Sequence, residues 1–421
     1  MTLHDFNEKR KMRVYILIAF FIFTLFLTFC FTGLAYDAPT WNIQTIDTNT
    51  RVASYCPIAV DSNNYPHIAY ANKDFGIMYS SWNGSAWNTQ KVIEGKGRTV
   101  SSLVLDADNN PHILHDGLTY TVWTESGWTT RTVYGETADS GTLALDSSGN
   151  PHIAYTTDKV VKYARWTGSE WNIQKLGTSQ SEDAVRLSLV IASNNTCYLI
   201  YGSLKDVKLV IYCNSSWTVQ TVASDMHSLG NIVLDSKGYP HFIYAHDYSE
   251  SGHPDIAIIY ASWNGIDWNI QKAVSNVTMG GLGSRSGFFT NGYLSLDSHD
   301  IPHIAYVTDF TSLPFGWGIM NYASWTGANW NIQNVNSTVN AQSCYLTLDS
   351  NNNPHMSFHG VVQDSEAVML VGPYSYVSPV MYATIPEFPS WTPLLSTLVA
   401  VVTVAMIYRR RLHNQNQRGE K

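Results

Sequence analysis

Leu145-Asp146-Ser147-Ser148-Gly149-Asn150-Pro151-His152-Ile153-Ala154-Tyr155, followed by Tyr163-Ala164-Arg165-Trp166-Thr167-Gly168-Ser169-Glu170-Trp171-Asn172-Ile173-Gln174, is the stretch that decides the fold. Its apolar residues alternate and are rich in aromatic and β-branched types, which reads as strands. The Asp-Ser-Ser-Gly-Asn link reads as a tight turn whose Gly and Asn accept positive φ. The pattern recurs along the chain. Pro-His pairs stand at Pro66-His67, Pro111-His112, Pro151-His152, Pro240-His241, Pro302-His303 and Pro354-His355, with a decayed copy at Cys197-Tyr198. The Trp-Asn-x-Gln-like segment starts at Trp41, Trp87, Trp128, Trp171, Trp217, Trp268 and Trp330. A repeat of about 40 to 60 residues made of short strands marks a propeller blade rather than a helical solenoid.

Each blade reads as four strands, A to D from the inside outward: an apolar stretch ending in Asp, the Pro-His strand, the Tyr-Ala-x-Trp strand and the Trp-Asn-x-Gln strand. The last repeat has A from Tyr345 to Asp349, B from Pro354 to Phe358 and C at Met381-Tyr382-Ala383, but no D. Trp41-Asn42-Ile43-Gln44 precedes the first Pro-His unit and supplies it. The expectation is an all-β, seven-bladed β-propeller over residues 37–385, its last blade closed by the N-terminal strand, so that no sheet edge is left to template aggregation.

The 421 residues carry 13% aromatic and 14% charged side chains and a net charge of -8, a composition for a β-rich core. No basic stripe is present to neutralise phosphates, which excludes nucleic acid as a partner. The basic residues cluster at the two ends instead. Lys9, Arg10, Lys11 and Arg13 precede an apolar run from Val14 to Phe31, so residues 1–36 read as a signal peptide or signal-anchor. Residues 391–408 carry no charge and are followed by Arg409, Arg410 and Arg411, which reads as a transmembrane helix with a cytoplasmic tail, 409–421. Hydrophobic membrane helices are therefore expected on both flanks, with the propeller extracellular and the membrane itself a partner.

Pro386-Glu387-Phe388-Pro389, within the 386–390 linker, resembles the PEF-type C-terminal sorting and anchoring signals of archaeal surface proteins. The repeat Leu-Asp-Ser-x-Gly-x-Pro-His-Ile-x-Tyr with Tyr-Ala-x-Trp-x-Gly-x-x-Trp resembles the uncharacterised propeller repeats of exported prokaryotic surface proteins, over Trp41 to Ile385. That resemblance implies the fold and an archaeal-type cell surface, and it carries no known reaction.

His67, His112, His152, His241, His303 and His355 occupy one repeat position and are spread around the ring, whereas a metal needs ligands that converge. They read as structural, each bonded to a polar neighbour, and the repeated Asp residues as turn closers. No nucleophile elbow, phosphate loop or zinc-protease motif is present, so no catalytic residue, metal or cofactor is assigned.

Function is expected where the repeat breaks. A–B and C–D links fall on one side of the ring and are uniform; B–C and D–A links fall on the other, which carries the insertions at 245–255, 275–292, 307–317 and 360–377. On that side Arg51, Arg98, Arg186 and Arg285 lie in D–A links, suited to a carboxylate or acidic sugar, beside a loop bearing His246, Asp247, Glu250, His253 and Asp255. The reading is a surface-anchored propeller binding an extracellular glycan or protein. Its alternatives are an exported glycosidase or lyase acting on an acidic polysaccharide, with Asp247 and Asp309 as the carboxylate pair, and a structural surface-layer component.

Export makes disulfides possible. If Tyr198 pairs with Tyr212, Cys197 and Cys213 close one hairpin; Cys56 and Cys344, five residues before the strand-A Asp in the first and last blades, are candidates for a bond across the seam. Asn83, Asn194, Asn214, Asn276 and Asn336 begin Asn-x-Ser/Thr sequons in expected turns or loops, as glycosylation requires.

Overall fold

The computed structural model describes residues 41–48, 50, 55–74, 76–95, 99–133, 138, 140–178, 186–203, 206–213, 216–248, 256–275, 292–308, 318–363, 376–377 and 379–385. A first strand, β1 (Asn42–Asp47), precedes seven blades. Blade 1 is β2 (Ile58–Val60), β3 (Pro66–Asn72), β4 (Gly76–Trp82) and β5 (Trp87–Glu94). Blade 2 is β6 (Val100–Leu105), β7 (Pro111–His115), β8 (Thr119–Thr124) and β9 (Gly127–Thr132). Blade 3 is β10 (Ser140–Leu145), β11 (Pro151–Thr157), β12 (Val160–Trp166) and β13 (Trp171–Thr178). Blade 4 is β14 (Leu187–Ile191), β15 (Cys197–Ser203), β16 (Asp206–Cys213) and β17 (Ser216–Ala223). Blade 5 is β18 (Met226–Leu234), β19 (Pro240–Asp247), β20 (Ile256–Trp263) and β21 (Trp268–Val274). Blade 6 is β22 (Tyr293–Leu296), β23 (Pro302–Thr308), β24 (Gly318–Trp325) and the first part of β25 (Trp330–Leu348). Blade 7 takes the rest of β25 as its inner strand, then β26 (Pro354–Gln363), the short β27 (Tyr376–Val377) and β28 (Val380–Thr384).

The ring closes as the phase offset requires. β1 pairs antiparallel with β28, Asn42 opposite Thr384 and Gln44 opposite Tyr382, and so forms the outer strand of blade 7. Two details depart from the repeat. The link from blade 6 to blade 7 is no loop: β25 runs without interruption from outer strand to inner strand. The blade 7 insertion begins as an extension of β26 to Gln363, which folds back on β27 with Val362 opposite Val377. No helix long and apolar enough to cross a membrane occurs among the described residues, and the apolar segments 14–31 and 391–408 lie outside them.

The repeat motif is one connected contact chain. In blade 1, Asp61 Oδ1 accepts the backbone N–H groups of Asn63 and Tyr65, both at 2.8 Å, closing the A–B turn around Asn64 at φ 67°. The other carboxylate oxygen faces His67 Nε2, and His67 Nδ1 meets the Tyr79 hydroxyl. With the Nε2 proton toward the carboxylate, Nδ1 accepts the tyrosine O–H. The same Asp–His–Tyr chain is built by Asp106–His112–Tyr120, Asp146–His152–Tyr163, Asp235–His241–Tyr260, Asp297–His303–Tyr322 and Asp349–His355–Tyr382. Asp–His separations of 3.3 to 3.8 Å set each carboxylate beside the imidazole, at or beyond the long limit of hydrogen bonding.

Each tyrosine then packs edge-on against the outer-strand tryptophan of the following blade, as Tyr79 does on Trp128 at 5.4 Å and Tyr382 on Trp87 at 5.2 Å. In two joints the motif glutamine adds a bond: Trp87 donates its indole N–H to Gln44 at 2.9 Å and Trp217 to Gln174 at 2.7 Å. Among the buried indoles left without an acceptor, Trp171 is the one preceded by Arg131 in the glutamine's place.

A girdle of turn contacts runs around the A–B side. The positive-φ residue of one blade accepts the backbone N–H of the turn in the blade before it: Asn109 from Ser62, Asn195 from Ser147, Asp300 from Ser236, Asn352 from Ser298 and Asn64 from Ser350, at 2.7 to 3.1 Å. Blades 3 and 5 put Gly149 and Gly238 there, both at φ 79°, and those glycines have no side chain to offer. A Cβ at either meets nothing within 4 Å, and Asn tolerates this backbone region. Gly149→Asn and Gly238→Asn are expected to raise the thermal midpoint, each adding about 0.5–1.5 kcal/mol. Unchanged or lower midpoints in both would show that the girdle contributes nothing.

The disulfide expectations are corrected. Cys197 stands opposite Tyr212 and Leu199 opposite Val210, one residue out of the assumed register. A one-residue shift sends side chains to opposite faces; Cys197 is buried and Cys213 exposed, and they do not bond. Cys56 and Cys344 are likewise not disulfide-linked: both thiols are buried in the seam, where burial pushes Cys56 up to about 12. In blade 4 the decayed repeat places Tyr198 and Leu209 where other blades carry histidine and tyrosine, and an all-apolar cluster replaces the Asp–His–Tyr chain.

Candidate functional site

Of the arginines expected on the insertion-bearing side, the described residues include Arg186; Arg51, Arg98 and Arg285 lie outside them. Glu250, His253, Asp255 and Asp309 also lie outside, and Asp247 is placed by its backbone at the end of β19. His246 is described: its ring lies 4.1 Å from that of Tyr248, whose other contact is Lys272, with Nζ 4.0 Å from the ring centre. Sequons Asn83 and Asn194 are exposed in turns, Asn336 sits on β25, and Asn214 and Asn276 fall outside.

The structure assembles a second group that the repeat alone does not announce. Inner strands run from the insertion-bearing side toward the A–B turns, so residues at their starts ring the axis near that side. Arg186 precedes β14, Tyr55 precedes β2, Tyr293 opens β22, and Tyr345 lies in β25 four residues before Asp349. The Tyr293 and Tyr345 rings lie 4.4 Å apart, and Tyr345 meets Tyr55 edge-on at 6.4 Å, which carries an aromatic row from blade 6 through blade 7 to blade 1. Arg186, from blade 4, stands at the start of its own inner strand, on the same side of the ring. Burial raises the Tyr293 and Tyr345 hydroxyls far above their ordinary range, and the Arg186 charge opposes that rise.

The strand position that Tyr293 and Tyr345 share is occupied in blades 2, 4 and 5 by smaller polar residues with a structural task. Ser102 Oγ accepts the Leu143 N–H, Ser188 Oγ accepts the Ile232 N–H, and Asn231 both accepts from Leu294 N–H and donates to its carbonyl. Those side chains tie one inner strand to the next. In blades 6 and 7 bulky phenols stand there instead. Sequence reasoning passed over the three tyrosines because it searched the links; for Tyr293 and Tyr345 the signal was in strand A, where the Ser, Thr or Asn found four residues before the Asp position in blades 2 to 5 gives way to Tyr, and Tyr55, six residues before Asp61, carries no such signal.

The remaining polar groups of this side are held within the scaffold. Asn72 donates to Asp47 at 2.9 Å and Thr50 lies 3.4 Å from His359, all at the seam between blades 7 and 1. His115 is fixed between Asp116 at 2.9 Å and Thr121 at 2.8 Å; imidazole and hydroxyl are fully buried, which rules the trio out as an open nucleophile site. No group of three or more metal-ligating side chains occurs among the described residues.

No protein-family model and no curated protein sequence matches the chain. Solved structures are similar to it in fold. The protein YCF48 bound to D1 peptide aligns with a TM-score of 0.50 at 10% identity, over 85% of this chain and 98% of that one. Virginiamycin B lyase from Staphylococcus aureus gives 0.49 at 9% identity over 81% and 99%. The fucose-recognising, six-bladed lectin of Aleuria aurantia gives 0.45 at 11% identity over 68% and 96%. At such identities the likeness is one of fold.

Proposed function

We propose that this protein is a cell-surface-anchored propeller that binds a glycan or protein partner through its insertion-bearing side. One observation carries the reading: the residues that break the repeat, Arg186 with Tyr55, Tyr293 and Tyr345, come from blades 4, 1, 6 and 7 yet gather at one end of the axis. Non-repeated polar and aromatic side chains on a rigid ring are how a scaffold acquires a ligand. The chain ends of the ring support the anchoring. β1 starts, and β28 ends, on the side of the A–B turns, with Asn42 opposite Thr384. Tethers at both ends would hold that side toward the membrane and turn the arginine and tyrosines away from it.

Cells displaying the full-length protein are expected to capture a component of a glycan or secreted-protein array. Cells displaying the Tyr55→Ala, Arg186→Ala double variant at the same surface level are expected to capture at least about tenfold less. Equal capture by both would place the binding surface elsewhere, and no capture by either would remove the binding function.

A further inference from the structure

Resting on the export in that reading, we infer that Asn83 is the acceptor of an N-linked glycan, chosen over the other described sequons, Asn194 and Asn336, by the C–D turn of blade 1. Asn83 and Ser85 stand in the turn between β4 and β5, and both are exposed. Asn83 Oδ1 accepts the backbone N–H groups of Ser85 at 3.0 Å and Ala86 at 2.9 Å, and the Ser85 hydroxyl donates to the same oxygen at 2.9 Å. Every hydrogen bond of the side chain falls on Oδ1, which leaves the Nδ2 amide group to solvent. The amide and the hydroxyl that define a sequon are thus held side by side on one open turn.

Blade 5 shows that this hydroxyl is not needed to build the turn. Asn264 Oδ1 accepts the N–H groups of Ile266 at 2.8 Å and Asp267 at 2.9 Å, the same arrangement between Trp263 and Trp268 as blade 1 makes between Trp82 and Trp87. Gly84 and Gly265 follow the asparagines at φ 94° and 97°, and a Cβ at either would meet a tyrosine hydroxyl within 2.8 Å. Ile266 takes the place of Ser85 and is 79% exposed, so packing asks nothing of that position. The turn requires the asparagine in both blades and the serine in neither, yet Ser85 directs its hydroxyl at the acceptor amide. The other sequons lack this arrangement. Asn194 accepts the Thr196 N–H at 2.9 Å, but Thr196 is buried and its hydroxyl is turned to Cys213 Sγ at 3.9 Å. Asn336 lies within the β24–β25 ladder, opposite Met320.

The co-reactant is an oligosaccharide carried on a lipid phosphate, used by a membrane-bound transferase on the exported side. Asn83 Nδ2 bonds to the anomeric carbon of the sugar, the bond from that carbon to the phosphate oxygen breaks with its electron pair on the phosphate, and one amide proton passes to a base of the transferase. The C–D turns lie on the side of the ring from which β1 starts and β28 ends, within reach of a membrane enzyme.

Mass spectrometric peptide mapping of the full-length protein, isolated from the membranes of the cells that make it, tests the assignment. The peptide holding Asn83 is expected to carry the added mass of a glycan, and those holding Asn194 and Asn336 to be unmodified. Ser85→Ala, which keeps the blade 5 form of the turn, should lose the glycan, and Ser85→Thr should retain it. Ile266→Ser should gain a second glycan, at Asn264. A glycan that survives Ser85→Ala, one found also on Asn194 or Asn336, or no gain in Ile266→Ser overturns selection by the turn. Unmodified Asn83 in protein that a protease added to intact cells can digest overturns the acceptor and leaves the surface reading standing. Unmodified Asn83 in protein beyond that protease's reach removes both.

Discussion

Folding stability is expected to fall steeply as the pH drops from 7 toward 4, because the ring holds a set of buried imidazoles that must stay neutral. Burial lowers the pKa of His67, His112, His152, His241 and His303, and the neighbouring aspartates only partly restore it. His359, enclosed at the seam, is taken down from 6.5 to about 4. In each case the folded value lies below the unfolded one, so between the two the unfolded chain binds more protons and stability rises with pH. The contribution is complete above about pH 6.5 and is lost as pH falls toward the folded values. For His359 alone the difference corresponds to about 3 kcal/mol, at about 1.4 kcal/mol for each pH unit.

The carboxylates extend the loss to lower pH. Asp106, Asp146 and Asp349 are held below their ordinary value: burial pushes each up, and the hydrogen bonds from the turn and from histidine outweigh it. Their stabilisation is present above the unfolded carboxylate value and is lost as pH falls through the folded one. Urea midpoints measured from pH 8 to pH 4 should therefore decline with a slope of several protons, and His359→Gln should flatten the lower part of the curve. A midpoint that stays level between pH 7 and pH 5 would show that these imidazoles are not buried as neutral groups.

The ring, its blade number and its closing strand were all legible in the sequence because each rests on a pattern longer than any single residue. Seven Trp-led segments against seven Pro-His positions, one set shifted ahead of the other, leave no arrangement but a seam at Trp41 and Tyr382. The cysteines were not legible, because spacing along the chain does not fix a hairpin's register: Ser203 pairs with Asp206, and that shift of one residue separates Cys197 from Cys213. The axial tyrosines were half legible. Tyr293 and Tyr345 break the small-residue rule of strand A, but the ring contact between them depends on adjacent inner strands converging on an axis, which spacing along one chain does not express. The girdle of Asn and Ser residues was hidden for the same reason: each turn looks self-sufficient until the next blade is set beside it.

Closure by β1 is where a small change should have the largest effect. Six residues complete blade 7, pairing with β28 from Asn42 to Asp47, and with the preceding Trp41 they also bind the blades on either side. Trp41 packs on Tyr322 of blade 6 at 5.2 Å, while Gln44 accepts the indole N–H of Trp87 in blade 1. An outer strand directs alternate N–H groups at its partner, so of two neighbouring proline substitutions one removes a ladder bond and the other faces away. Of Ile43→Pro and Gln44→Pro, one is expected to cost about 3 kcal/mol or more, and the other considerably less. The damaging variant frees the β28 edge, which then pairs with other chains, so light scattering at its lowered thermal midpoint should rise with protein concentration. Two variants that both melt like the parent, without scattering, would mean that the ring holds without its first strand, and the inter-blade contacts of Tyr, Trp and the turn girdle would have to be carrying the closure instead.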